Sequence, residues 1–82
     1  MTLDRESWLY LQAFVDKEVM PYECDKVSKK YNICHIRYEA ERVLGFEVKT
    51  GLIAKLLRQR GVAETERHGI TYFAISNEFF EY

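Results

Sequence analysis

The chain has 82 residues, of which 48% are hydrophobic and 15% aromatic, and its 12 basic and 13 acidic residues give a net charge of −1 at pH 7. This length suits one domain and is too short for two independent cores, and so apolar a composition excludes a disordered chain. No segment approaches the roughly 20 apolar residues of a membrane span. Asp4 and Glu6 stand where a signal peptide would carry basic residues. The sequence therefore predicts a single-domain cytoplasmic protein that does not associate with a membrane.

The charges are unevenly distributed along the chain. Residues 1–25 contain six acidic and two basic residues, residues 26–69 contain ten basic and five acidic residues, and residues 70–82 add two acidic residues. A basic middle between acidic ends allows one face of a nearly neutral protein to meet a polyanion. Chance clustering of solvated charge is the competing interpretation.

The first predicted element is a helix over residues 4–19. Apolar residues recur there at helical spacing, namely Trp8, Leu11, Val15 and Val19. Asp4 or Thr2 would cap this helix, and Pro21 would end it. Residues 22–34 are less regular. A short helix is predicted for them, although residues 31–34 are equally typical of a strand or a turn.

Two further helices are predicted, at residues 35–44 and 50–60. The first has an apolar face of Ile36, Ala40, Val43 and Leu44, followed by Gly45 at the position where helices commonly end in the left-handed conformation. Phe46 is expected in the core. The second helix turns an apolar face inward, made of Leu52, Ile53, Leu56 and Leu57, so its outward residues are Gly51, Ala54, Lys55 and Arg58.

After Gly61 the apolar period changes from helical to strand-like. Residues 62–76 predict a β-hairpin whose tip is formed by Arg67, His68 and Gly69. The tail, residues 77–82, is aromatic and acidic and has no clear period.

This order of elements resembles the winged helix-turn-helix superfamily over residues 35–76. The resemblance is carried by the Val43-Leu44-Gly45-Phe46 junction, the leucine stripe of residues 52–57, Gly61-Val62 and the turn before residues 70–75. It implies an α+β fold of three to four helices followed by a C-terminal hairpin wing, with residues 4–19 as the leading helix. The spacing from Gly45 to Gly61 is longer than in compact members, which extends the predicted turn through residues 47–49.

The resemblance implies a non-catalytic module that binds duplex DNA through helix 50–60, with the hairpin tip as a wing. A helix in the major groove presents a slim polar surface, and free N–H groups at its N-terminus can meet a phosphate. The expected nucleic-acid contacts are Lys49, Thr50, Gly51, Lys55, Arg58, Arg67 and His68, with further phosphate contacts from Lys26, Lys29 and Lys30. Such a protein would be a small regulator or accessory factor of transcription or replication, of the kind that a phage or mobile element encodes.

Protein docking or dimerisation is the alternative function. The acidic first helix and the tail residues Phe79, Phe80 and Tyr82 would then contact a partner. An exposed aromatic tail is unfavourable unless it packs on the domain or on another protein. Glu64 and Glu66 on the first wing strand would repel phosphate, which counts against a strongly basic wing. Lys55 and Arg58 would then be ordinary solvated cations.

Catalysis and cofactors are not predicted. Ser7, Ser28 and Ser76 lack a nucleophile motif, and no glycine-rich phosphate loop is present. Cys24 and Cys34 are predicted to be reduced, buried thiols, although their spacing leaves a disulfide open. With His35 and His68 they form neither a CxxC nor an HxxxH pair, so no metal site is predicted. Both histidines are expected to be polar surface or capping groups.

Overall fold

The computed structural model describes residues 4–27 and 29–81 of the chain. Three α-helices are followed by two strands: α1 (Arg5–Phe14), α2 (Ile33–Leu44), α3 (Thr50–Gln59), β1 (Glu64–Arg67) and β2 (Ile70–Phe73). The strands form a two-stranded antiparallel sheet. The predicted α+β class is confirmed, and the arrangement is compatible with a small winged-helix-like fold. No helix in the described residues is both long and apolar enough to cross a membrane.

The first helix begins at Asp4, as predicted. The Asp4 carboxylate accepts a hydrogen bond of 2.7 Å from the Ser7 backbone N–H, which satisfies one of the free donors of the first turn and lowers the pKa of Asp4. Thr2, the other predicted cap, lies outside the described residues. Beyond α1 the backbone stays helical as a π-helical turn (Val15–Val19) and a 3₁₀ turn (Met20–Tyr22) that contains Pro21. The predicted extent of this helix is therefore confirmed.

The short helix predicted within residues 22–34 is wrong. Glu23 instead forms an isolated antiparallel bridge with Ile75, and the Cys24 N–H donates to the Ala74 carbonyl at 2.9 Å. These contacts satisfy backbone groups that a helix would have satisfied internally. Cys24 and Val27 have helical spacing, but they are half-buried loop residues that pack against the core.

The second helix begins at Ile33 because residues 32–35 form a capping box. The Asn32 side chain accepts from the Cys34 N–H at 2.8 Å, and His35 Nδ1 accepts from the Asn32 N–H at 3.1 Å. Gly45 ends this helix with a φ of 80°, as predicted. Val43 is 52% exposed, so its predicted place in the core is wrong: it lies in the last turn and faces an open groove beside Phe14 and Phe79.

The third helix buries Ile53, Leu56 and Leu57 completely, as predicted. Ala54 is only 6% exposed, so its predicted outward orientation is wrong; it lines a groove together with residues of the hairpin. The turn before α3 is extended, as predicted, and it buries Val48, whose N–H donates to Glu41 Oε2 at 2.8 Å. One core joins the helices to β2, with these members: Leu11, Phe14, Val15, Val19, Ile33, Ile36, Ala40, Val48, Ile53, Ala54, Leu56, Leu57, Val62, Phe73, Ala74, Ile75 and Phe79.

The hairpin turn consists of His68 and Gly69, since Arg67 pairs directly with Ile70. Both turn residues have positive φ, 55° and 77°, as a two-residue type I′ turn requires. The predicted hairpin and its tip are confirmed. The residues of β1 are all exposed, whereas Phe73 at the end of β2 is buried.

The C-terminal tail packs on the domain. Phe79, in a 3₁₀ turn (Asn77–Phe79), is 8% exposed and meets the rings of Phe14 and Tyr22 edge to face. Phe80 stacks on Tyr31 with ring centroids 4.3 Å apart. Phe79 and Phe80 thus pack on the domain itself, and the burial of Phe79 leaves it little surface for the predicted partner contact. Tyr82 lies outside the described residues.

Candidate nucleic-acid interface

The outward face of α3 and the hairpin turn border one groove, the helix–hairpin groove. Its volume is about 370 Å³ and it is lined by Ile33, Cys34, Thr50, Gly51, Ala54, Arg58, Gly69, Ile70 and Thr71. The two elements predicted to contact nucleic acid therefore lie on the same surface. Ile33 and Cys34, in the first turn of α2, also line the groove. The sequence did not indicate a binding role for this turn.

The N-terminus of α3 is open at this surface. Lys49 occupies the N-cap position and makes no side-chain capping bond, because a lysine side chain has no acceptor. Thr50 is half-buried and Gly51 is exposed. No atom lies within 4 Å of the place where a Cβ on Gly51 would stand, so the packing of the domain does not demand glycine here. Lys49 and the free N–H groups that follow it provide a small positive end to the helix.

Arg58 is bound to the hairpin. Its Nε donates to Glu64 Oε1 at 2.7 Å and its Nη2 donates to Glu64 Oε2 at 3.0 Å. This bidentate pair joins the last turns of α3 to the first residue of β1. The hydrogen bonds lower the pKa of Glu64 and raise the pKa of Arg58. The Glu64 carboxylate, which was expected to repel phosphate, is thus paired with Arg58.

Lys55 and Arg60 each contact the helical segment at the start of the chain, and Lys55 remains exposed. Lys55 Nζ lies 5.7 Å from the centroid of the Trp8 ring, within the range of a cation–π interaction. Arg60 donates to both carboxylate oxygens of Asp16 and, through Nη1, to the Leu56 carbonyl at 3.1 Å. No local pattern in the sequence indicates this role of Arg60, because Asp16 is 44 residues away.

Lys49, Arg67 and His68 are exposed; Lys49 directly precedes Thr50 and His68 directly precedes Gly69, both of which line the helix–hairpin groove. Within residues 4–27 and 29–81, Lys49 and Arg67 form no ion pair. Lys26 and Lys29 are also exposed, on the segment that precedes α2. Lys26, Lys29, Lys49 and Arg67 are therefore available to a polyanion without first releasing a carboxylate of the described residues.

Lys30 is held at the C-terminal tail. Its Nζ donates to Glu81 Oε2 at 2.7 Å, and the Tyr31 hydroxyl donates to the same oxygen at 2.6 Å. The bonds to Glu81 raise the pKa of Lys30 and of Tyr31, and chiefly the bond from Lys30 lowers the pKa of Glu81. A phosphate contact by Lys30 would have to compete with this carboxylate.

The thiols and histidines do not form a metal cluster. Among the residues that the structure describes, no three His, Cys, Asp or Glu side chains are grouped so that they could hold a metal ion. Both cysteines are free thiols, and Cys24 Sγ donates to the Lys26 carbonyl at 3.1 Å. Cys34 is exposed, so its predicted burial is wrong: the first turn of α2 directs it to the helix–hairpin groove.

Comparisons of the chain with models of known protein families, with curated proteins and with solved structures find no match.

Proposed function

We propose that this protein is a non-catalytic module that binds duplex DNA, as a small regulator or accessory factor of transcription or replication. In this proposal α3 enters the major groove and the hairpin turn contacts the flanking backbone as a wing. The observation that carries the proposal is the helix–hairpin groove, where Gly51 and Arg58 of α3 lie on one surface with Gly69 of the turn.

The dimensions of the exposed stripe on α3 suit this role. Gly51, Lys55 and Arg58 follow one another at helical spacing, and seven residues of helix extend about 10 Å. The stripe is slim at its start, where Gly51 has no side chain. A major groove about 12 Å wide accepts one α-helix, provided that no bulky apolar group stands at the contact. The large apolar residues of α3 that are fully buried, Ile53, Leu56 and Leu57, face the opposite way.

The charge of this surface supports moderate rather than strong attraction to phosphate. Arg58 and Arg60 are paired with carboxylates, whereas Lys49 and Arg67 are not. Lys49, Arg67 and Lys55 would together neutralise about three phosphates. The number rises to about five if Lys26 and Lys29 also reach the DNA backbone. The slope of log affinity against log salt concentration should then lie between about −3 and −4.5.

Fluorescence anisotropy with a labelled 20-base-pair duplex, titrated at several salt concentrations, tests this proposal. Lys49→Ala/Arg67→Ala should reduce the slope by about two, because each lost phosphate contact removes about 0.9. Lys17→Ala is the matched control: this lysine is exposed on the π-helical turn and is not one of the groove-lining residues. Absence of binding to any duplex at roughly 100 μM protein, the weak limit of non-specific affinity, would refute the proposal.

Protein docking through the first helix is the second candidate. Leu9 and Tyr10 are 56% and 55% exposed, and Phe14, one turn after Tyr10, lines a groove of about 180 Å³ with Tyr22 and Val43. Exposed apolar residues beside a groove are common at protein interfaces. If duplex binding is absent and Tyr10→Ala abolishes a self-association measured by analytical ultracentrifugation, docking replaces DNA binding as the function.

A further inference from the structure

The Arg58–Glu64 pair uses only one edge of the guanidinium. Glu64 accepts from Nε and Nη2, which form the side edge of the group. Among residues 4–27 and 29–81, the Arg58 side chain makes no other hydrogen bond. Of the five donors of an arginine, this leaves both N–H groups of Nη1 and one of Nη2. The end edge, with two parallel N–H groups, is therefore intact.

An end edge of this kind matches guanine. In the major groove guanine presents N7 and O6 as two neighbouring acceptors, and two parallel donors satisfy both. The side chain is 57% exposed and lines the helix–hairpin groove, so the edge is accessible from outside. Glu64 anchors the guanidinium from the hairpin side, which restricts the rotamers that a free arginine would have to give up on binding.

The same pair is poorly suited to a phosphate. The two opposite charges cancel at short range, and Glu64 would stand close to any phosphate that Arg58 bound. A neutral base edge brings no such repulsion. We infer that Arg58 reads a guanine in the major groove and that Glu64 is its positioning residue. This inference rests on the proposed function and names the partner more closely, as duplex DNA with a guanine at one position of the site.

The test begins with selection of a preferred site by the wild-type protein from a duplex pool with a randomised centre. The enriched site should contain a fixed guanine, favoured over adenine by roughly 5- to 150-fold, the range of one bidentate contact. Replacing that guanine by 7-deazaguanine, which lacks the N7 acceptor, should weaken wild-type binding several-fold. Arg58→Ala/Glu64→Ala keeps the net charge and should bind guanine, 7-deazaguanine and adenine equally, with an unchanged salt slope.

Glu64→Gln isolates the positioning role. It should lower the guanine preference several-fold while raising affinity for a random duplex, because one negative charge is lost. Glu66→Gln is the matched control: Glu66 lies two residues further along β1, is exposed and forms no ion pair among the described residues, so its loss should raise affinity and leave the preference intact. Thermal melting of each variant verifies that it is folded.

The outcomes distinguish a failure of this inference from a failure of the proposed DNA-binding function. If the wild type binds no duplex, both fail together. If it binds duplex but the double variant keeps every base preference, Arg58 does not read a base and the inference alone fails. If Glu64→Gln keeps the full guanine preference, Glu64 is not a positioning residue.

Discussion

Asp16 and Arg60 lie 44 residues apart in the chain and are bound to each other through both carboxylate oxygens. The pair connects the π-helical turn after α1 to the end of α3. Arg60 Nη1 also donates to the Leu56 carbonyl, which accepts from the Arg60 backbone N–H as well. Arg60 therefore contributes to the fold both by ion pairing and by a second hydrogen bond to a carbonyl in the last turn of α3.

The two roles of Arg60 predict unequal effects of substitution. Asp16→Ala should lower the free energy of unfolding by less than about 1 kcal/mol, because the Asp16 side chain is 55% exposed and such pairs are weak. Arg60→Ala should have the larger effect, about 1–2 kcal/mol, since it also removes the bond to the Leu56 carbonyl. Urea denaturation of both single variants and the double variant measures the difference. Equal effects of the two single substitutions would show that the carbonyl bond contributes nothing.

Lowered carboxyl pKa values predict that stability decreases in acid. A carboxyl whose pKa is lower in the folded state stabilises the fold above its unfolded pKa, and that contribution is lost as the pH falls. Hydrogen bonds lower the pKa of four carboxyl groups from ordinary values of 3.8 for aspartate and 4.5 for glutamate. The main donor is Ser7 for Asp4, Arg60 for Asp16, Arg58 for Glu64 and Lys30 for Glu81. The melting temperature should therefore be level between about pH 6 and pH 9 and fall between about pH 5 and pH 3.

Asp16→Asn is the diagnostic variant for this acid transition. It should lower the melting temperature at pH 7 and leave a smaller decrease between pH 5 and pH 3, because one of the titrating groups is gone. Circular dichroism melts at pH 7, 5, 4 and 3 measure both values. A wild-type melting temperature that rises on acidification would contradict the sign of these pKa shifts.

Apolar periodicity and glycine positions predicted most of the fold. The stripe of Leu56 and Leu57, the helix end at Gly45 and the turn at His68-Gly69 are local features, and each was read correctly. Val43 and Ala54 were misassigned because a periodic pattern gives the direction of a side chain without showing whether another element covers it. The exposure of the Val43 side chain and the burial of the Ala54 side chain depend on where the tail and the hairpin lie.

The site was predicted less completely than the fold. The sequence predicts that Lys49 and Arg58 are outward cations and that Glu64 repels phosphate, but it does not predict that Glu64 binds Arg58. Side-chain pairing across a turn depends on the twist of the hairpin relative to α3, which no spacing rule gives. The bond between Lys30 and Glu81 is still more distant in sequence, and it changes Lys30 from a free cation to a partnered one.

The capping box of α2 predicts that Asn32 contributes to stability. Asn32→Ala removes the acceptor of the Cys34 N–H and should lower the free energy of unfolding by about 0.5–2 kcal/mol. Asn32→Ser is the matched control, because serine is an equally good cap, and it should retain most of the stability. Urea denaturation measures both. Equal losses in the two variants would indicate that Asn32 acts through packing rather than capping.

The positive φ of His68 predicts a stabilising substitution. A φ of 55° is unfavourable for a non-glycine residue, and asparagine tolerates this region better than histidine does. His68→Asn should therefore raise the free energy of unfolding by a few tenths of a kcal/mol. Gly69→Ala, at a φ of 77°, should lower it by about 1 kcal/mol. Opposite signs in thermal melts of the two variants are the expected result, and two losses would argue against this turn geometry.

Leu57 and Lys55 lie on opposite sides of α3, and their substitutions should separate folding from binding. Leu57 is fully buried, so Leu57→Ala loses transfer free energy and leaves a cavity, at about 2–5 kcal/mol of stability. Lys55→Ala removes an exposed cation and its contact with the Trp8 ring, which should change stability by no more than about 1 kcal/mol. Leu57→Ala should therefore weaken DNA binding only in proportion to the unfolded fraction, because its folded molecules keep the binding surface. Lys55→Ala should weaken binding with the melting temperature nearly unchanged. Thermal melting beside an anisotropy titration of each variant distinguishes the cases, and unchanged binding by Lys55→Ala would remove this lysine from the interface.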